Sequence, residues 1–250
     1  MSDVNWRRYE TLRPDELAEI VAEVPIAYWP LGLLEHHGWH LPVGFDGIKA
    51  ERLCTACAAK TGGVVLPVMW WGAEGGHQDF LWTHYQPPEA SAAIVCATVR
   101  QLIRFGFRAI ILMAGHYPWQ DILDHHLLPI AKKHDDVLLL WGTEMSICKP
   151  DIELPGDHAA REETNYGLAL LPELVDLFAL HPGRQPKDVW PGGDDSVAAR
   201  VYPGVRTDAN DALFSQLGED ARHANVAQGG QYVDALVEHV TKRINTFIAG

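Results

Sequence analysis

The sequence is poor in cysteine and in basic side chains, and it has no long apolar run. Its 250 residues include 4 cysteines, and 20 Lys and Arg stand against 33 Asp and Glu, for a formal net charge of −13. A chain of this length can bury about three quarters of its unfolded surface, so its core needs no disulfides. Phosphate neutralisation requires clustered Lys and Arg. We therefore expect no nucleic-acid partner and no membrane partner.

Membrane and secretion signals are also missing. No segment approaches the roughly 20 apolar residues of a membrane helix, and the beginning, MSDVNWRRYETLRPDE, has no apolar signal core. These features predict a cytoplasmic protein. Cys54 and Cys57 form a CxxC motif inside ERLCTACAAK, which has the pattern of a helix interior, whereas a redox CxxC begins a helix after a strand. We predict structural roles for the cysteines.

Short apolar runs alternate with helical patterns along the chain. We predict strands over 26–31, 64–71, 109–114 and 137–141, and helices over 14–23, 47–60, 88–105 and 119–133. This alternation predicts an α/β fold, with a largely parallel sheet between two helical layers. Beyond residue 162 we expect helices over GLALLPELVDLFAL, 208–224 and 231–248, and a long loop over 181–207. One domain over 1–250 is the simplest organisation.

Polar side chains follow the first predicted strand. Glu35 and His37 are two residues apart, so on an extended chain they point to the same side, and Asp46 follows just ahead of a helix. This mixed set of nitrogen and oxygen ligands suits Zn²⁺, Mn²⁺ or Fe²⁺. Asp46 alone is equally well explained as a helix N-cap. Because open α/β sheets bind ligands outside the carboxyl ends of their strands, we interpret the cluster as a metal site.

Two later segments offer further ligands. In RAIILMAGHYPWQ, His116 stands beside Gly115 at a strand end, where an isolated histidine is usually a hydrogen-bonded core residue. In PGDHAAREETNYG, His158, Glu162 and Glu163 lie in a loop that enters a helix. Both glutamates fit the acidic first turn of a helix, the role that we assign to Glu162. A buried carboxylate and histidine there could instead complete a metal site and supply a proton donor.

Three ordered segments resemble motifs of the creatininase (creatinine amidohydrolase) family. PLGLLEHHGWHLPVGFDGIKAE resembles P-x-G-S-x-E-Q-H-G-x-H-L-P-x-x-x-D, AGHYPWQ resembles N-G-H-G-G-N or G-H-Y-E-N, and DHAAREETN resembles H-A-G-x-x-E-T-S. Together they extend over most of the chain. The resemblance implies one α/β domain, often assembled into hexamers, with two divalent metal ions in its site.

The resemblance also implies a ligand arrangement. It makes Glu35 and His116 ligands of one ion and His37 a ligand of the other, with Asp46 as the bridge. Each of these residues matches the family motif at its own position. The two ions would be Zn²⁺, Mn²⁺ or Fe²⁺.

One family ligand is missing. Pro118 occupies the position of the glutamate in G-H-Y-E, and proline cannot bind a metal ion. In relatives without that glutamate the carboxylate of H-A-G-x-x-E-T takes its place, so the resemblance implies Glu163 as the fifth ligand. The missing glutamate counts against creatinine as the substrate. Other family members cleave formamides of pyrimidine precursors or C-terminal residues of a modified peptide.

Four more residues are candidates for the chemistry and the substrate pocket. His158 matches the family's catalytic histidine and would protonate the leaving nitrogen. His77 follows the second predicted strand, where the family has a histidine near its substrate pocket. A structural role explains His77 equally well. Tyr117 and Trp119 lie within the second motif and would suit a flat, polar substrate, although such aromatic residues more often belong to a core or an interface.

Together with these residues, the resemblance implies a dinuclear metal-dependent hydrolase. It would cleave a C–N amide-type bond in a small cyclic amide, formamide or peptide-like substrate with a metal-activated water. One alternative is a family member that binds a metal or ligand without turnover, and another is a metal-dependent isomerase or lyase. The presence of His158 favours the enzyme.

We expect a homo-oligomer, most simply a hexamer, from the resemblance and from the 9 tryptophans, whose apolar surface a monomer would struggle to bury. Light scattering at micromolar concentration should give a multiple of the 27.8 kDa chain mass. A mass near that of a single chain would contradict this expectation.

Overall fold

The apolar runs form an all-parallel sheet in the computed structural model, which describes residues 5–73, 75–184 and 196–250. Within these residues the strands lie in the order β1-β3-β2-β4-β5. Their pairing is parallel throughout. The strands are β1 Trp6–Arg8, β2 Ile26–Leu31, β3 Gly63–Val65, β4 Ala109–Ala114 and β5 Leu138–Thr143.

Helices cover both faces of the sheet. They are α1 Pro14–Glu23, α2 Phe45–Thr61, α3 Pro88–Arg104, α4 Trp119–Ala131, α5 Arg161–Leu170, α6 Val197–Val201 and α7 Val226–Ala249. Ile110 and Leu112 of β4 pack with α1, α3 and α4, whereas Ile111 and Met113 pack with α2 and α7. Because both faces of β4 are buried, its sequence is continuously apolar. The predicted three-layer α/β arrangement is confirmed.

The sheet differs from the prediction at its second and last strands. We expected a strand over 64–71, but β3 ends at Val65, and beyond it Met69 makes a single bridge to Leu31. Pro67 interrupts this segment because proline has no N–H to donate to a ladder. The last strand is β5, Leu138–Thr143, shifted from the predicted 137–141. Strand β1, which pairs with β3, was not predicted.

The predicted helix over 208–224 is wrong. The segment consists mainly of turns with a short 3-10 helix, Ala221–His223. Asp208 and Asp211 accept hydrogen bonds from the backbone N–H groups two residues later, so the side chains stabilise turns instead of a helix. The helix predicted over GLALLPELVDLFAL ends at Leu170, shortly before Pro172.

Other expectations have mixed outcomes. Helix α7 confirms the prediction over 231–248. The predicted loop over 181–207 contains helix α6, and its residues 185–195 lie outside the described residues. Cys54 and Cys57 are buried free thiols inside α2, as the helical pattern predicted. None of the described helices is long and apolar enough to cross a membrane.

Close backbone contacts bring the start of α2 against the sheet. A Cβ atom at Gly115, just after β4, would overlap the backbone carbonyl of Asp46. A Cβ atom at Gly32, just after β2, would likewise overlap the backbone of Gly47. The absence of side chains at these two positions therefore allows α2 to begin directly above the carboxyl ends of the central strands.

Gly115→Ala should force α2 away from the sheet. We expect it to lower the free energy of unfolding by about 1–3 kcal/mol, as overpacking of a buried contact does. Urea denaturation would measure this. Gly230→Ala is the matched control: its Cβ would meet no atom within 4 Å in α7, and alanine there should add about 0.5–1 kcal/mol of stability. Equal effects of the two substitutions would contradict the assigned contact.

Candidate metal centre

The structure brings together all five predicted metal ligands. Glu35 and His37 follow β2, His116 follows β4, Asp46 lies in the first turn of α2, and Glu163 lies in the first turn of α5. Each of these residues is buried, with at most 4 % exposure. Asp46 does not cap its helix, because Gly44 is the N-cap residue. The carboxylate is therefore available for another role.

Three of these residues form the first cluster, which we call site A: Glu35, Asp46 and His116. His116 Nδ1 lies 2.9 Å from Glu35 Oε2 and 3.4 Å from Asp46 Oδ2. On the other side of the ring, Nε2 is 3.2 Å from the carbonyl oxygen of Ala73 and can donate to it. This contact leaves Nδ1 as the nitrogen that can bind an ion.

The second cluster, site B, contains His37, Asp46 and Glu163. His37 Nε2 lies 3.0 Å from Asp46 Oδ1 and 3.5 Å from Glu163 Oε2. His37 Nδ1 is 3.1 Å from the carbonyl oxygen of Glu35 and can donate to it, which leaves Nε2 as the nitrogen that can bind an ion. Asp46 thus directs one oxygen towards each site, the arrangement of a carboxylate that bridges two ions.

One atom of each site indicates that the residues fit metal ions: His37 Nε2 in site B and Asp46 Oδ2 in site A. Within the described part of the chain, His37 Nε2 and Asp46 Oδ2 are buried and have no hydrogen-bond partner. A buried polar atom without a partner is energetically costly, and a divalent cation at each site would satisfy these atoms. The combined carboxylate and imidazole donors suit Zn²⁺, Mn²⁺ or Fe²⁺.

Without an ion, protons compensate part of the buried negative charge. Burial lowers the pKa of His37, but Asp46 outweighs this effect and the pKa rises to about 9. Burial likewise opposes the charged form of His116, but Glu35 and Asp46 raise its pKa to about 10. Burial raises the pKa of Asp46, yet the two histidines keep it well below its usual range. Metal binding must therefore release protons from these histidines.

A buried ion pair behind site B was missed by the sequence analysis. Lys49 Nζ lies 2.6 Å from Glu144 Oε1 and 2.7 Å from Glu163 Oε1. Burial lowers the pKa of Lys49, but the two glutamates outweigh it and hold the pKa above its usual range. Glu144 directly follows β5, so the strand-end rule that identified His116 could have found it. Lys49 lies within α2 and carries no such signal.

Asp157 positions the start of α5. Its carboxylate oxygens accept hydrogen bonds from the backbone N–H groups of Glu162, at 2.7 Å, and Glu163, at 2.9 Å. Burial, followed by the charge of Glu163, raises the pKa of Asp157 to about 7. The backbone N–H of Ala159 also donates to Glu163 Oε2, at 2.8 Å. These contacts orient the Glu163 carboxylate towards His37.

A cavity of about 310 Å³ lies beside site A. Glu35 and His116 line it together with His77, Tyr117 and His158.

Trp119, which we expected to contact substrate, is not part of the cavity lining. It is fully buried in the core, and its Nε1–H donates to the carbonyl oxygen of Gly32, at 3.1 Å. Position 119 begins α4, which packs against the sheet, so the indole fills the core.

His158 lines the cavity and lies beside His37 of site B. Its ring stacks on His77, with centroids 3.6 Å apart, and lies 4.6 Å from the ring of His37. Its Nε2 is 3.0 Å from the carbonyl oxygen of His36 and can donate to it. Burial lowers the pKa of His158, and His77 and His37 lower it further, so the ring is neutral. Nδ1 is then the nitrogen that can accept a proton.

The fold and the site together define an α/β protein with a candidate dinuclear metal centre at the carboxyl edge of a parallel sheet. The chain belongs to the creatininase family, because the family model described as creatinine amidohydrolase matches residues 10–244.

Two characterised relatives are similar in sequence. Creatinine amidohydrolase from Pseudomonas putida is 27% identical over an alignment of 216 residues, and the match covers 76% of this chain and 80% of that protein. The 3-dehydro-scyllo-inosose hydrolase of Thermotoga maritima is 24% identical over an alignment of 178 residues, and the match covers 67% of this chain and 57% of that protein. The match therefore covers less than two thirds of the second relative.

Solved creatininase structures share the fold. A crystal structure of creatinine amidohydrolase (creatininase) has a TM-score of 0.71 and 26% identity, and the match covers 98% of each chain. A creatininase structure with Mn has a TM-score of 0.72 and 22% identity, covering 97% of this chain and 98% of that chain. A Zn–Zn type creatininase variant has a TM-score of 0.70 and 24% identity, covering 98% of each.

His37→Ala should remove the ion at site B while leaving site A occupied, because His37 is a member of site B and not of the Glu35, Asp46 and His116 cluster of site A. Asp46→Ala should reduce occupancy of both sites, because each uses one Asp46 oxygen. Elemental analysis of the purified proteins would count the ions, with up to two expected per wild-type chain. His125→Ala, on the exposed side of α4, is the control. Full occupancy in both site variants would show that the ligand assignment is wrong.

Proposed function

We propose that this protein is a metal-dependent amidohydrolase that cleaves a C–N amide-type bond in a small-molecule substrate. The observation that carries this proposal is the pair of clusters that share Asp46 beside a cavity lined by His158. Membership of the creatininase family supports the same activity. A cavity of about 310 Å³ suits a small substrate, since ligand pockets begin at roughly 300 Å³.

The proposal includes two divalent ions, one at each site. Four buried carboxylates and one buried ammonium surround the sites, so the net charge of these groups is −3. One divalent ion neutralises only two of these negative charges. The creatininase structures with Mn and of the Zn–Zn type support these metals. When bound, such ions would lower the pKa of a water molecule and polarise the substrate carbonyl. The four carboxylates belong to Glu35, Asp46, Glu144 and Glu163, and the ammonium belongs to Lys49.

His158 is the proposed proton-transfer residue. Donation from Nε2 to the carbonyl of His36 fixes the tautomer, and Nδ1 can then accept a proton and deliver it to the leaving nitrogen. A ring nitrogen of His158 lies within 4.8 Å of ligand atoms of Glu35 and His37, close enough to act at the same reacting group. Stacking against His77 holds the ring in this orientation.

Tyr117 and His77 are the proposed substrate contacts. The hydroxyl of Tyr117 donates to Glu144 Oε1, at 2.9 Å, so it can offer a substrate its oxygen lone pairs. This arrangement favours a substrate that presents an N–H group. Pro118 lines the same cavity where creatininases have a metal-binding glutamate, which favours an amide other than creatinine. Cyclic amides, formamides and peptide-like compounds form the substrate class to screen.

We also propose that residues 1–250 form one creatininase-like domain that assembles as a homo-hexamer. Exposed apolar side chains support self-association, because solvated apolar surface of this kind often marks an interface. Trp71 is 47% exposed and Trp82 is 65% exposed. Tyr85 lies close to them in sequence and is 42% exposed.

His158→Ala should leave metal content unchanged and lower kcat about a hundredfold to ten-thousandfold, the usual contribution of a positioned proton donor. The measurement needs an amide that the wild-type protein hydrolyses in a metal-dependent way. Elemental analysis and circular dichroism on the same preparations would verify metal content and folding.

The exposed residue His125 provides the matched control, and His125→Ala should keep full turnover. Joint loss of metal and activity in His158→Ala would make His158 a ligand instead. Unchanged turnover in a folded, metal-loaded His158→Ala protein would remove it from the mechanism.

A further inference from the structure

Lys49 places a buried positive charge directly behind site B. Its side chain is fully buried, and Nζ contacts one oxygen of Glu144 and one oxygen of Glu163. The rings of Phe45 and Tyr117 lie 5.1 and 5.3 Å from the same nitrogen. Two carboxylates within 2.7 Å keep this group as an ammonium ion.

The ammonium contacts a proposed ligand of only one of the two sites. Glu163 directs Oε1 to Lys49 and Oε2 to His37, so a cation at site B would share one carboxylate with Lys49. At site A, the Glu35 carboxylate instead faces two histidines, with Nδ1 of His116 at 2.9 Å and Nδ1 of His77 at 3.8 Å. The electrostatic environment of the two sites is therefore unequal.

Contacts other than the one with Lys49 also hold the Glu163 carboxylate. The backbone N–H of Ala159 donates to Glu163 Oε2, and Asp157 holds the first turn of α5 through the N–H of Glu163 itself. Removal of the ammonium would therefore leave the carboxylate in place and increase the negative charge that it offers at site B. The main effect of Lys49 on an ion is then repulsion between like charges.

We propose that Lys49 is a built-in cation that keeps site B the weaker, exchangeable metal site while site A binds tightly. This inference rests on the proposed function, because it takes both sites to bind divalent ions. Glu144 reduces the repulsion between Lys49 and an ion at site B, because its carboxylate partly neutralises the ammonium. The occupancy of site B would then depend on the free metal concentration. The fraction of protein that carries both ions would depend on it in the same way.

Titration of the metal-free protein with Mn²⁺, followed by electron paramagnetic resonance and calorimetry, tests the proposal without a substrate. The wild-type protein should show a tight and a weak class of ion. Glu163→Gln should remove the weak class and Glu35→Gln the tight class, which assigns each class to its site.

Two variants of the ion pair should then change the dissociation constant of the weakly bound ion in opposite directions. In Lys49→Met/Glu144→Gln, which keeps the net charge, the weak dissociation constant should fall about tenfold or more, with the tight constant unchanged. In Glu144→Gln alone, the whole charge of Lys49 acts on Glu163, so the weak constant should rise. Lys60→Met changes an exposed lysine of the same helix and should shift neither constant.

The possible failures are distinguishable. A weak constant that stays unchanged or rises in the double variant would overturn the role of Lys49, as would two equally tight classes in the wild-type protein. Absence of Mn²⁺ binding in the wild-type protein would overturn the proposed function along with it. If the double variant does not fold, Glu144→Gln decides the question, because a weak constant that falls or stays unchanged there contradicts the proposal.

Discussion

The candidate centre depends on the close backbone contact between the start of α2 and the ends of the central strands. Gly115 and Gly32 allow this approach, because a Cβ atom at either position would overlap the backbone of α2. The contact places Asp46 where one oxygen faces His116 and the other faces His37. Without this approach the two clusters would share no ligand, and the histidines after β2 and β4 would lack a common carboxylate.

Concentrated negative charge is the electrostatic consequence of this geometry. Four carboxylates lie almost completely out of contact with water around the two sites, and an unpaired buried charge is strongly disfavoured. Protonated His37 and His116 provide part of the compensation, and Lys49 provides another part. Divalent ions would replace the protons but not Lys49, so the lysine influences how the remaining charge is divided between the sites.

Much of the fold follows from local sequence patterns. The continuous apolar runs of β2 and β4 are typical of strands buried on both faces, and both were predicted at their observed ends. Prediction failed where side chains compete with the backbone. The aspartates of 208–224 stabilise turns, and Pro67 ends the ladder of β3, although the hydrophobic pattern continued in both segments.

Some residues of the candidate site were likewise predicted from the sequence, and others were found only in the structure. The sequence alone determined the α/β class, the residues that follow β2 and β4, and the resemblance that drew attention to Glu163 and His158. Only the tertiary structure decided that Lys49 and Glu144 form a buried pair behind site B, and that Trp119 belongs to the core. The reason is physical. Strand ends and motifs are local in sequence, whereas Lys49 and Glu144 are 95 positions apart and their pairing depends on how α2 packs on the sheet.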